Sequence, residues 1–352
     1  MGRVMMPEAS YMGRFKYMKK RILLIVKIIL KISIALILIM TINRIFLPKY
    51  INENQDGRIT QEYYGQKAYA DVIYAGSSTV HSGIDPVVLW EEQGISSYVR
   101  ANASQTMWIS YYMIEDAIKC RKPELVCLDM TFIKYGDDFV EEPSTRKALD
   151  GMRLSPAKIR CVEASMGEDE SLWDYLVPLF RFHSRWKELT LDDFRYAYYN
   201  KPVTINGYLP DNEIGAAEPG ELVYEKEGDT ELSSRNVEYL RKAIELCRRE
   251  GIQIFLFKVP AHSANWSRDY DRQIEEIAAE YGVSYVNFDD HNDDIGLDYS
   301  VDTPDAGSHL NSTGAVKFSE YLAGYIKDNY SVSDRRTENK YVSNWNEIIS
   351  GL

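Results

Sequence analysis

From Ala70 onward the chain alternates short apolar runs with longer segments whose apolar residues recur at three- and four-residue spacing. The runs are "VIYAG" (72–76), "SYVRA" (97–101), "ELVCLDM" (124–130), "IQIFLFKV" (252–259) and "VSYVNF" (283–288). Runs of this length, apolar on both faces, predict strands buried on both sides. Between them, 105–120, 267–281 and the stretch after Ser312 carry helical spacing, with Trp108, Tyr111, Tyr112 and Ile118 marking the first. The punctuation agrees. Asp85 precedes Pro86 as cap and first helical residue, Ser233 or Ser234 caps a helix that ends at Gly251, and Gly282 closes the next. Strand–helix alternation of this kind predicts an α/β fold, a parallel sheet between two helical layers, over 70–134 and 233–330.

The alternation breaks in three places. Residues 135–232 hold the aromatic-rich pieces "SLWDYLVPLFRFHSRWKEL" and "FRYAYYNKP" and then a Gly/Pro/Glu-rich stretch at 207–230. They read as an inserted, mainly helical subdomain, a lid or substrate platform over the carboxyl ends of the strands. Residues 48–69 are polar without a sustained period and read as a stalk. Residues 331–352 are polar and read as a peripheral tail.

The N-terminus has a different pattern. A basic cluster within residues 1–21 (Arg14, Lys16, Lys19, Lys20, Arg21) precedes an apolar segment over 22–47, and residues 28–47 include twelve Leu or Ile. About 20 apolar residues span a bilayer, and Lys31 and Arg44 lie where they can snorkel. No A-x-A-like cleavage site follows, so the segment reads as a signal anchor instead of a cleaved signal peptide. The positive flank predicts a cytoplasmic N-terminus, with the body held outside the membrane. Charge sharpens this division. Residues 1–50 carry ten Lys or Arg and one acidic residue, which leaves 31 basic and 52 acidic of the chain's 41 and 53 for the remainder. A body so acidic is a poor partner for nucleic acid or an anionic lipid surface. At 352 residues and 45% hydrophobic, the chain is long enough for a sizeable core. Cys120, Cys127, Cys161 and Cys247 show no metal-ligand spacing and read as buried thiols, and no metal or cofactor is expected.

Open parallel sheets bind ligands at the carboxyl ends of their strands. The polar groups predicted there are Gly76-Ser77-Ser78, then Asn102 and Gln105, then Asp129 and Thr131, then Lys258 and His262. Asp305 and His309 sit in a Gly-containing loop just before the last sheet-covering helix, which Asn311 or Ser312 can cap. A serine hydroxyl needs a base to remove its proton, and the base needs a third group to orient it. Ser78 as nucleophile, His309 as base and Asp305 as orienter make a complete set on one sheet edge, with Asp302 a competitor for the last role. Gln105 and Lys258 are candidates for substrate contact, Lys258 toward an acidic group. His81 and His183 read as structural.

These residues resemble the SGNH (GDSL-like) hydrolase superfamily. Its first block G-D-S is matched by Gly76-Ser77-Ser78, and its D-x-x-H block approximately by Asp305 to His309. The longer stretches "GSSTVHSGIDPVVLWEEQGI" and "HLNSTGAVKFSEYL" are similar to membrane-anchored bacterial members, the DltD-like and AlgX/AlgJ-like proteins that work with membrane-bound O-acyltransferases. The resemblance implies a flavodoxin-like three-layer fold with Ser78 as nucleophile and His309 as base. It also implies an oxyanion site made by the Ser78 N–H, a backbone N–H at Ala101 or Asn102, and a third donor. The family's Asn block is missing, since the third strand ends "LDMTF", so the Asn102 amide would replace that donor. Asp305 is four residues before the histidine where the family has three. The activity that the resemblance and the anchor imply is that of an extracytoplasmic serine esterase or O-acyltransferase acting on acyl esters of a cell-surface glycan or glycolipid. Its rival is a non-catalytic accessory that binds a surface polymer or a membrane-bound O-acyltransferase.

Overall fold

The computed structural model describes residues 8–136, 139, 141–198, 202–218, 230–262 and 266–352. They form two compact units, one of residues 1–48 with 177–199 and the other of residues 49–176 with 200–352.

The larger unit is built on five parallel strands: β1 (Val72–Gly76), β2 (Ser97–Ala101), β3 (Leu125–Asp129), β4 (Gln253–Lys258) and β5 (Ser284–Asn287). All five fall inside the apolar runs. Their order is β2-β1-β3-β4-β5, with Gly76 opposite Ala101 and Asp129 opposite Phe257. This is the flavodoxin-like order. The connection leaving β1 runs one way to β2 and the connection leaving β3 runs the other way to β4, which opens a crevice at the β1 and β3 carboxyl ends. Side-chain alternation divides the core. Ile254 and Leu256 pack with Met113, Leu240 and Ile274 on one face, while Phe255 and Phe257 pack with Leu89, Phe318 and Leu322 on the other. The three-layer α/β/α class is the direct result.

The helix ends obey the local chemistry. The Asp85 carboxylate accepts the Val87 N–H (2.8 Å) ahead of Pro86, and the Ser233 hydroxyl accepts the Asn236 N–H. Gly251 and Gly282 take left-handed φ of 63° and 65° at the C-terminal ends.

Three segments differ from expectation. Residues 48–69 are no stalk: Ile59–Gln66 is a helix whose Ile59, Tyr63 and Tyr64 pack against Ile73 and Tyr98. Tyr63 also lies under the Arg100 guanidinium, 4.2 Å from the ring centre. Its apolar residues are too few for a period to show, but Arg100, paired with Asp116 (2.9 Å) inside the protein, needs that aromatic cover. The tail is likewise not peripheral. Asn339–Ser350 is a helix with Tyr341 and Trp345 fully buried, the latter stacked on Trp90 at 5.3 Å. The region expected as one insertion divides. Glu142–Asp150 and Pro156–Ser165 put Leu149, Cys161 and Val162 into the sheet's main core, so they are integral to it. Residues 177–199 belong with the N-terminal helix. Much of the Gly/Pro/Glu-rich stretch, including 219–229, lies outside the described residues. Cys127, Cys161 and Cys247 are buried free thiols, and Cys120 is partly buried.

The smaller unit contains the helix Glu8–Phe46, of which Lys16–Phe46 is long and apolar enough to cross a membrane, with mean hydropathy 2.9 over an 18-residue window. Its other members are the short helices Pro178–Phe182 and Leu191–Arg195. His183 is exposed here, its Nδ1 2.9 Å from the Phe180 carbonyl.

Candidate active site

β1 ends at Gly76, and the chain turns at once into the short helix Ser78–Gly83. Glycine is required at that turn by close approach. A Cβ on Gly76 would come within 2.5 Å of Val80 Cγ2 and 2.6 Å of Asp129 Cβ. Ser77 is fully buried, whereas Ser78, at the first helical position, keeps a partly open face.

The partner loop runs from Asp302 to Leu310. Ala306 and Gly307 take successive positive φ of 57° and 97°, which folds the chain back on itself. At Gly307 a side chain would also collide with His262, 2.6 Å from its Cβ. Thr303 Oγ1 holds the turn by accepting the Gly307 N–H (2.8 Å) and the Asp305 N–H (3.3 Å). The Asp305 carboxylate is thereby presented to His309 twice: Oδ1 accepts the backbone N–H at 2.9 Å, and Oδ2 lies 2.5 Å from the ring Nδ1. The one-residue excess over a D-x-x-H spacing is absorbed in this left-handed pair. Beyond the loop, Asn311 caps the helix Ser312–Asn329 through the Thr313 and Gly314 N–H groups.

The two segments meet. His309 Nε2 is 2.8 Å from Ser78 Oγ across 231 positions of sequence. An Nδ1–H donated to the carboxylate leaves the Nε2 lone pair to accept the serine hydroxyl, the arrangement that prepares a nucleophile. Asp302 takes no part: it is fully buried and bound to Lys317 Nζ (2.6 Å) and the Asp298 N–H.

Ser78, Asp305 and His309 border a cavity of about 550 Å³ whose wall includes His81, Ala103 and Asp211. Of the loop after β2, Ala103 is the member at the cavity. Ala101 is the buried last residue of β2, and the Asn102 amide is engaged inside the protein, donating to Gln105 Oε1 at 2.9 Å. Gln105 is buried in turn and donates to the Arg100 carbonyl and Ser110 Oγ. Lys258 is 3% exposed and holds both Asp289 oxygens at 2.6–2.8 Å. Gln105 and Lys258 are therefore absent from the cavity wall. Their expected substrate contact is replaced by a structural one, because a strand-end polar group turned inward must be paired where it lies.

Three groups at the cavity were not read from the sequence as site residues. Asp56 and Lys147 form an ion pair at 2.8 Å on its wall, and nothing in their spacing links them. His81 follows Ser78 by three residues, one helical turn, which is a signal that could have marked it. Both of its ring nitrogens are sealed from solvent with no hydrogen-bond partner among the described residues, and burial lowers its pKa to about 4, so the ring is neutral at physiological pH. Under Gly76, burial raises the Asp129 carboxyl to about 6 despite the Thr131 hydroxyl at 2.8 Å.

No family model and no curated protein sequence matches the chain. Among solved structures it is similar to a protein of Bacteroides fragilis described as a putative acylhydrolase. The identity is 11%, the TM-score 0.36, and the match covers 76% of this chain and 95% of that one.

Proposed function

We propose that this protein is an SGNH-type serine esterase or O-acyltransferase, held at a membrane by its N-terminal helix. Its substrates are acyl esters, foremost acetyl esters, of a cell-surface glycan or glycolipid. The observation that carries the reading is the 2.8 Å approach of His309 Nε2 to Ser78 Oγ, with Asp305 on the other ring nitrogen. Ser78 Oγ attacks the acyl carbonyl carbon as its proton passes to Nε2. Asp305 faces the imidazolium that results, and collapse of the tetrahedral intermediate expels the alcohol, which takes the proton from His309. Water or a sugar hydroxyl then attacks the acyl-enzyme by the same steps reversed.

The Ser78 N–H, in the first turn of its helix, has no intrahelical acceptor and is available to the oxyanion. Each such donor is worth about 3–4 kcal/mol. The glycan class is drawn from the resemblance and the apolar N-terminal helix.

A fluorophosphonate probe on the full-length chain tests the chemistry. Covalent labelling of wild type but not of Ser78→Ala is expected, followed by release of acetate from acetylated glycans. A second reading, a non-catalytic accessory that binds polymer or a membrane-bound O-acyltransferase in the same cleft, is favoured by one observation. The Asn102 amide that would serve as a further donor is committed to Gln105. Absence of labelling with polymer binding retained would put that reading first.

A further inference from the structure

The segment 177–198 presents large apolar side chains that its own unit leaves uncovered. Phe180, Phe194 and Tyr198 are each more than half exposed, Trp186 is 64% exposed and Leu191 86%. Within so short a stretch this is far more than the scattered apolar residues of an ordinary surface.

Its attachment within the unit tells what meets these side chains. The Leu179 N–H donates to Asn43 Oδ1 (3.1 Å), and the Arg185 guanidinium donates to the Phe46 carbonyl. The Tyr198 hydroxyl lies 2.5 Å from Thr41 Oγ1, and the Tyr198 ring lies 4.7 Å beneath the Arg44 guanidinium. Each of these ties is to residues 41–46, the C-terminal end of the apolar helix. A helix rises about 1.5 Å per residue, so a span over 28–47 puts residues 41–46 within about the last 9 Å of the hydrocarbon layer, next to the polar boundary. Aromatic rings with a polar end are favoured at that depth.

We propose that residues 177–198 form an interfacial membrane segment, a proposal that rests on the N-terminal helix being a membrane anchor. The segment lies in the headgroup layer where that helix leaves the bilayer, with Phe180, Trp186, Leu191 and Phe194 set into the acyl boundary. Charge does not drive this contact. Arg181, Arg185, Lys187 and Arg195 stand against Glu188, Asp192 and Asp193, four charges against three, and Arg185 is already paired with Asp193 at 3.0 Å. A neutral bilayer therefore suffices as partner, and the contact resists salt.

The test uses the full-length chain in phosphatidylcholine vesicles that carry nitroxide lipids labelled near the headgroup or deep in the acyl chain. The Trp186 emission is the difference between wild type and Trp186→Phe. It is expected to be quenched roughly twofold more by the shallow label than by the deep one, at low and high salt alike. Alkaline carbonate extraction of the same vesicles reads the anchor separately. A chain that resists extraction while Trp186 escapes both quenchers overturns the interfacial segment and leaves the anchor standing. A chain that carbonate releases removes the anchor reading and this proposal with it.

Discussion

At the scale of single residues, the Ser78–His309–Asp305 contacts give the sharpest expectations. Members of such a set act as a unit, so Ser78→Ala and His309→Ala should each lower turnover by about 10⁴–10⁶, and the double variant by little more. Asp305→Asn should lose less if the backbone bond to the His309 N–H still holds the loop; steady-state kinetics on an acetyl ester read all four. His81 makes a separate prediction through stability. Its folded pKa of about 4 lies below the ordinary 6.5, so the unfolded chain takes up the proton first as pH falls. The stabilisation is complete above pH 6.5 and is lost toward pH 4, about 3 kcal/mol in all. The buried carboxyls of Asp129 and Asp150, both raised to about 6, act with the opposite sign and lose stability as pH rises toward 6. Urea unfolding of wild type and His81→Gln at about pH 7 and about pH 4.5 isolates the histidine: the variant should lose less on acidification. Equal losses would show that the ring is not buried neutral.

At the scale of elements, the C-terminal helix should behave as part of the core. Trp345 is fully buried, stacked on Trp90, and its indole N–H donates to Ser96 Oγ at 2.9 Å. Trp345→Ala should cost about 3–5 kcal/mol, measured as a fall in the urea midpoint, where a peripheral tail would cost almost nothing. The helices of 142–165 make the same argument against a detachable insertion. Leu149, Cys161 and Val162 share a core with Met113 and Leu240, so removing 142–165 should unfold the unit, not retune its substrate choice. Circular dichroism of the deletion decides it. Neither element was legible as core, because two or three buried apolar residues on a short helix do not make a period. Their apolar faces acquire meaning only from the surface that receives them.

For the whole molecule, the basic flank before the apolar helix predicts that protease added to intact cells digests residues 49–352 and leaves the N-terminal helix behind; full protection would reverse the orientation. The five strands, their parallel class and the helix caps were determined by the sequence itself. An apolar run apolar on both faces has no stable place except between two layers, and Asp85, Ser233, Gly251 and Gly282 act on their nearest neighbours. The apolar helix was equally plain, since its signal is length and composition. Ser78, Asp305 and His309 could be named because each lies next to a strand end or helix start that local pattern marks. Their 2.8 Å and 2.5 Å contacts were decided by the β2-β1-β3-β4-β5 order and by the left-handed Ala306-Gly307 turn. Tertiary structure alone also turned Lys258 to Asp289 and the Asn102 amide to Gln105, and brought Asp56 and Lys147 to the cavity. A polar side chain at a strand end can turn toward the cleft or the interior with the same local sequence, and which it does depends on a partner that arrives from a distant part of the chain.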